Sequence, residues 1–235
     1  MRIPAITLVA LICILLFCNP QDLLASKAIA LTMRVSGDVQ IKKEGEQNSQ
    51  KLVFGTALDD GDWIKTGSDG LCILVFTDDK SQVKIQANTE VVIEGKRDAE
   101  SNIAKRLSME IGEIFTKVEA QRGSFQVATP TSVASVKGTE FWVIVLEDGT
   151  TEVVTLEGLV ELMNRYSGQI VEIRRGQQGR SDPDGNIQQN DVNLDDWGDP
   201  DDDDEYEDEQ EPRSIRIELE DRDGREKVIE IEFTD

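Results

Sequence analysis

The sequence predicts an all-β fold, either a compact multi-stranded β-sandwich or a short β-solenoid or roll, and three observations carry that prediction. Past residue 30, glycine recurs at short intervals, from Gly37, Gly45 and Gly55 through Gly138, Gly149 and Gly158 to Gly168 and Gly176, the spacing of turns between short strands. The runs between these glycines are rich in Val, Ile and Leu, as strands require. No window of a dozen residues in this stretch carries the 3.6-residue period of an amphipathic helix.

Taken in order, the predicted strands are Val39–Ile41, Trp63–Thr66, Leu71–Phe76, Val83–Ile85, Val91–Ile93, Leu107–Val118, Phe125–Val127, Phe141–Leu146 and Val153–Met163. Val83 and Ile85 alternate with Gln82 and Lys84, which suits a strand with one face in water. Leu71–Phe76 and Trp142–Leu146 are apolar at nearly every position, so both of their faces are expected to be covered. Aromatic residues make up only 5% of the chain, which leaves the core to branched aliphatic side chains.

Composition narrows the function. The chain has 235 residues and a formal charge of −22, from 47 acidic against 25 basic side chains, so a phosphate backbone is not an expected partner. It contains no histidine, which removes the commonest general base and the commonest transition-metal ligand. No catalytic, cofactor-binding or metal-binding residue is assigned from the sequence.

Residues 1–30 read as a cleavable export leader: Arg2, an apolar stretch from Ile6 to Phe17, then polar residues and small residues at Ala25, Ala28 and Ala30, between which cleavage is expected. The apolar stretch is too short for a bilayer core of roughly 30 Å, so no integral membrane span is expected after cleavage. Cys18 follows the bulky Phe17, which disfavours lipidation there. Cys13 and Cys18 leave with the leader, so Cys72 is the one thiol of the exported chain. It lies in an apolar strand and reads as a small core residue rather than a nucleophile.

The organisation that follows is an all-β domain over 31–178, an acidic linker over 179–213 expected to be disordered, and a C-terminal β-hairpin over 214–235. Residues 182–211 hold 15 acidic side chains and no basic one, a self-repelling tract that buries little. In the hairpin, Ile215, Ile217 and Leu219 alternate with charged residues, Asp223 and Gly224 make the turn, and Ile229, Ile231 and Phe233 alternate on return. Within the acidic tract, Asp191, Asn193 and Asp195, and Asp182, Asp184 and Asn186, have part of the spacing of a calcium loop, so weak calcium association is an expectation. Trp197 and Tyr206 offer apolar grip to a partner.

Ser132–Val145 joins two β-branched runs through Lys137, Gly138 and Thr139. It reads as a bend between strands, with Thr139, Phe141 and Val143 on one face and Glu140, Trp142 and Ile144 on the other. The competing reading sets Lys137 beside Ser135 as a base for a nucleophile, but no oxyanion hole is recognisable around them.

The chain also resembles the FecR-like periplasmic proteins over about residues 31–178. The resemblance rests on Gly37–Val39, Gly55–Leu58, Gly61, Asp62, Ile64–Gly67, Gly112–Ile114, Phe125–Pro130, Val136–Thr139, Phe141 and Leu156–Val160. It implies an all-β module best known in bacterial cell-surface signalling, and the residue chemistry above adds the expectation that it is not an enzyme. Only Met1–Ala5 precede the apolar stretch, so the expected form is an exported binding or scaffolding module, periplasmic or at the cell surface. Its partner is expected to be an envelope protein or polymer, or, in signalling, a protein that itself crosses the membrane. A calcium-responsive surface or adhesion protein is the remaining alternative.

Overall fold

The computed structural model describes residues 28–100, 102–119 and 123–197, together with the backbone of 214–220 and 226–232. Residues 1–27, most of the expected leader over 1–30, and residues 198–213 of the expected acidic linker lie outside the described residues. Two compact units result, one ending at Leu194 and one beginning at Asp195.

The first unit consists of 17 strands. In chain order they are β1 (Ala30–Ser36), β2 (Val39–Lys42), β3 (Gln50–Lys51), β4 (Ala57–Leu58), β5 (Asp62–Thr66), β6 (Leu71–Phe76), β7 (Gln82–Ile85), β8 (Glu90–Arg97) and β9 (Ile103–Val118). The second half continues with β10 (Phe125–Ala128), β11 (Ser132–Val136), β12 (Thr139–Val145), β13 (Thr151–Glu157), β14 (Leu159–Asn164), β15 (Ile170–Arg174), β16 (Gln177–Ser181) and β17 (Ile187–Asp191).

Pairing arranges them in two layers. One runs β4-β1-β6-β7-β9-β12-β13-β16-β17; the other runs β3-β2-β5-β8-β9-β10-β11-β14-β15. Strand β9 belongs to both. Its first part pairs β8 and β10, and its last seven residues pair β12, with β7 on the other side. Every pair is antiparallel except β9–β10, which makes the unit a folded-over sandwich and excludes a parallel solenoid. The sheet is not closed.

The chain changes layer at creases. In the first half these include the β1–β2, β5–β6 and β7–β8 junctions and the bend inside β9 at Gly112, with further changes on either side of the short β4 and between the end of β9 and β10. The second half crosses at β11–β12, β13–β14 and β15–β16. Gly112 is paired with Val145 and Val118 with Thr139, so the two creases lie at opposite ends of the segment that β9 pairs with β12. Gly112 has φ +109°, and a Cβ there would meet Thr89 Oγ1 at 2.3 Å and Thr89 Cα at 2.4 Å. Only glycine permits that backbone and that approach.

Side-chain hydroxyls stitch the first crease. Thr66 Oγ1 donates to the Gln86 carbonyl at 2.6 Å and accepts from the Thr89 amide at 2.9 Å. Thr89 Oγ1 donates to the Glu113 carbonyl at 3.2 Å and accepts from the Glu113 amide at 2.9 Å. At the second crease Gly138 turns at φ +67°, and Thr139 Oγ1 donates to the Leu159 carbonyl at 3.0 Å. The Ser132–Val145 segment is thus the predicted bend.

Opposite each crease the layers are clasped. In the first half Lys105, a β9 residue with a fully buried side chain, reaches across to the β6–β7 turn, with Nζ 2.8 Å from Asp78 and 2.5 Å from Asp79. The same ammonium lies 5.3 Å from the Phe76 ring centre. Removing one partner of such a buried ion set costs about 3–5 kcal/mol. In the second half the clasp is uncharged: Thr151 Oγ1 bonds Thr129 Oγ1 at 2.6 Å and Thr131 Oγ1 at 2.8 Å, and Asn164 Nδ2 donates to Ser181 Oγ at 2.8 Å.

Between the layers lies one aliphatic core with Ile64, Leu74, Ile85, Leu107, Val127, Val143, Val153 and Leu162 all buried. Phe76 and Phe125, from opposite layers, meet edge-on with centroids 5.9 Å apart.

Several sequence expectations require correction. The domain does not end at 178: β16 and β17 extend it to Asp191, and a 3₁₀ turn follows at Leu194–Trp197. Their Gln, Asn and Gly content conceals strands stabilised mainly by pairing, β16 to β13 and β17 to β16. Val153–Met163 is two strands in different layers, divided at Gly158. Leu71, Ile73 and Val75 are half-exposed, so β6 is covered fully on one face alone.

In the second unit Ser214–Glu220 (β18) pairs antiparallel with Glu226–Glu232 (β19), setting Ile215 opposite Ile231 and Ile217 opposite Ile229.

The crease is testable through glycine. Gly112→Ala should cost about 1–3 kcal/mol from the backbone alone, with the contact against Thr89 added. Gly45→Ala, at φ +76° with nothing within 4 Å of the new methyl, should cost about 1–2 kcal/mol. Urea unfolding of the two variants measures the difference, and equal losses would contradict the crowded crease.

Candidate functional site

The second crease carries the residues that sequence reasoning singled out. Ser124, Phe125, Gln126, Ser135, Val136, Lys137, Leu159 and Glu161 line a half-open pocket of about 310 Å³. Its floor is built by register: Gln126 lies opposite Ser135 on β10 and β11, and Ser135 opposite Glu161 on β11 and β14.

Structure therefore brings Ser135 and Lys137 to one pocket, but not into a catalytic pair. Ser135 Oγ is 3.3 Å from the Gln126 amide nitrogen, which donates to it. Lys137 is exposed, whereas a lysine that activates a serine is ordinarily desolvated. The surface is polar at Gln126, Ser135 and Glu161 and carries both charge signs, from Lys137 and Glu161.

Cys72 is buried in the core and pairs with Ile85 across β6–β7. Burial pushes its thiol up to about 12, so the nucleophilic thiolate is suppressed. The calcium expectation meets a specific geometry at Asp182: its carboxylate accepts from the Asn186 amide at 2.9 Å and from Asn186 Nδ2, which holds the β16–β17 turn. These hydrogen bonds hold the Asp182 carboxyl below its usual range. Asp191, at the end of β17, accepts from Gln177 Nε2 at 3.2 Å. Among the described residues no group of three or more metal-ligating side chains is gathered.

Other charged groups serve the frame. Asp62, buried, accepts from Lys43 Nζ at 2.6 Å and from the Asp59 amide at 2.8 Å, which fixes the turn before β5. Burial opposes the Lys43 charge, but the hydrogen bond and attraction from Asp62 outweigh it and hold the ammonium above its usual value. Glu113, beside the first crease, is raised above its usual value by burial.

The Lys105 clasp was missed, although its signal is present: Ile103, Lys105, Leu107 and Met109 share one strand face, and three of the four are apolar. A lysine in that phase must be inside and needs anions, which Asp78 and Asp79 provide.

Comparison with known proteins follows this geometry. Residues 62–161 match the family model described as FecR protein, a span running from β5 to β14 that includes β9 and junctions at both creases. No curated protein matches the chain significantly. Two crystal structures of a candidate anti-sigma factor from Parabacteroides distasonis ATCC 8503 align at 22% and 21% identity, each with TM-score 0.46, over 56% of this chain and 60% of theirs. The chain thus spans less than two thirds of the length of those structures.

Two outcomes test the groups described above. The native protein should leave Cys72 unreacted with Ellman's reagent and release one thiol equivalent from it on denaturation; rapid native labelling would contradict its burial. For Glu113, a raised folded pKa means the folded state binds the proton more tightly. The cost of its charge is complete above that value and absent below the ordinary 4.5. Glu113→Gln should accordingly raise the urea midpoint at neutral pH and lose that advantage in acid.

Proposed function

We propose that this FecR-domain chain is an exported, non-catalytic binding and scaffolding module of the bacterial cell envelope, working by contact with a protein partner in cell-surface signalling. The match over residues 62–161 is the observation that carries this reading, because it covers the strands that join the two halves. Three features support it. The two nucleophile candidates are disarmed, Cys72 by burial and Ser135 by lacking a desolvated base. The space between the inner faces is filled by a cluster of buried aliphatic side chains. What the two layers present outward is a pair of broad strand surfaces, the form on which proteins dock.

Contact with a partner that itself crosses the membrane completes the proposal: the domain reads that partner's state and passes it on by mass action, with no chemical step. No helix among the described residues is long and apolar enough to cross a membrane.

Cross-linking in the native envelope, followed by capture of the tagged chain, tests this. The same protein partner should be captured by the full chain, by a chain truncated after Trp197, which keeps β16 and β17, and by the Ser135→Ala and Lys137→Ala variants. Loss of capture in the two point variants together with a measurable hydrolytic activity in the parent would overturn the proposal.

A further inference from the structure

The first open edge of the unit carries an exposed apolar patch. Six large hydrophobic side chains stand out as exposed among the described residues, and four of them, Leu31, Met33, Val53 and Phe54, lie on β1 or on the turn that leads into β4. Phe54 is 70% exposed and Met33 50%.

This is a built surface rather than a loose loop. Thr32, fully buried between Leu31 and Met33, holds the turn to the strand: its hydroxyl donates to the Val53 carbonyl at 2.8 Å and accepts from the Thr56 amide at 2.9 Å. Backbone bonds complete the attachment, Gly55 N to Thr32 O at 2.9 Å and Thr32 N to Thr56 O at 3.1 Å. With Thr32 turned inward, Leu31 and Met33 face outward, and the register with β6 shifts at Met33, the kind of bulge that re-aims a side chain at a sheet edge. Strand β4 covers β1 only at Ala30 and Leu31.

The charge of the two segments that carry the patch runs against that of the whole chain, with acids returning only at their borders, at Asp38, Glu46 and Asp59. Residues 28–37 and 47–58 contain no Asp or Glu in a chain with 47 of them, and they contain Arg34 and Lys51. A strongly acidic protein that clears acids from the two segments framing its largest apolar exposure has an anionic, apolar occupant to accommodate.

We infer that the Leu31, Met33, Val53 and Phe54 surface docks an extended acidic segment of a partner protein, with apolar side chains at every second residue and carboxylates between them. The period of two matches the spacing of Leu31 and Met33 along the edge strand. A bilayer fits less well, since it offers no repeat to match the two-residue spacing of Leu31 and Met33. This inference rests on the protein-contact reading above and assigns the surface that makes the contact.

The test uses the full chain and two labelled synthetic peptides, one alternating valine with glutamate and one alternating valine with lysine. The glutamate peptide should bind, more weakly at high salt, and the lysine peptide should not. Phe54→Ser and Met33→Ser should each weaken binding about tenfold while leaving the urea midpoint unchanged, as exposed positions allow. Equal binding of both peptides, or no effect of either substitution, overturns the inference. So does Phe54-dependent dimerisation in light scattering, which assigns the patch to a second copy, or Phe54-dependent flotation with phosphatidylglycerol vesicles, which assigns it to lipid. Cross-linked capture of a partner by wild type and Phe54→Ser alike refutes this surface and leaves the contact function standing; capture by neither the parent nor the variant refutes both.

Discussion

The bend of β9 against Thr89 is the constraint on which the rest of the structure depends. Its 16 residues are the one segment shared by both layers, and their pairing joins β7 and β8 of the first half to β10 and β12 of the second. For a single strand to serve both layers it must turn sharply while its backbone polar groups stay bonded, since unpaired buried amides are costly. Gly112 allows the turn, and the Thr89 hydroxyl, bonded to both the amide and the carbonyl of Glu113, supplies partners that a flat ladder would have given.

Creases alone would leave two layers splaying apart at their free ends. Each half is therefore fastened opposite its crease, and the two fastenings differ in chemistry. Lys105 with Asp78 and Asp79 is an ionic clasp with a desolvation penalty that only its close geometry offsets. Thr129, Thr131, Thr151, Asn164 and Ser181 form a neutral network of buried hydroxyls and an amide. With the crease of one half at the same end of the Gly112–Val118 segment as the clasp of the other, the shared core is held from both ends.

The all-β character, most strand positions and the bend at Gly138 were legible because they follow from local rules: alternation, branched side chains and glycine at turns. Cys72 as a core residue was legible for the same reason. What escaped was non-local. Strands β16 and β17 carry Gln, Arg, Asn and Asp and few apolar residues, so nothing in their own sequence distinguishes them from the acidic tract; pairing of β16 with β13 and of β17 with β16 makes them strands. The partners of Lys105 are 26 and 27 residues away, a separation no spacing rule reaches. At the candidate site, sequence alone brought Ser135 and Lys137 together, yet Gln126 from β10 decides what the serine does. The edge patch at Met33 and Phe54 depends on Thr32 facing inward, which only the register of β1 reveals.

The proposed contact function needs a rigid surface, and rigidity across both halves requires that they fold as one. Two single-tryptophan variants measure this directly, one keeping Trp63 on β5 in the first half and the other Trp142 on β12 in the second, each followed by fluorescence in urea. Coupling through β9 predicts coincident midpoints and equal slopes for the two reporters. Separate transitions, with one half melting while the other stays folded, would contradict it.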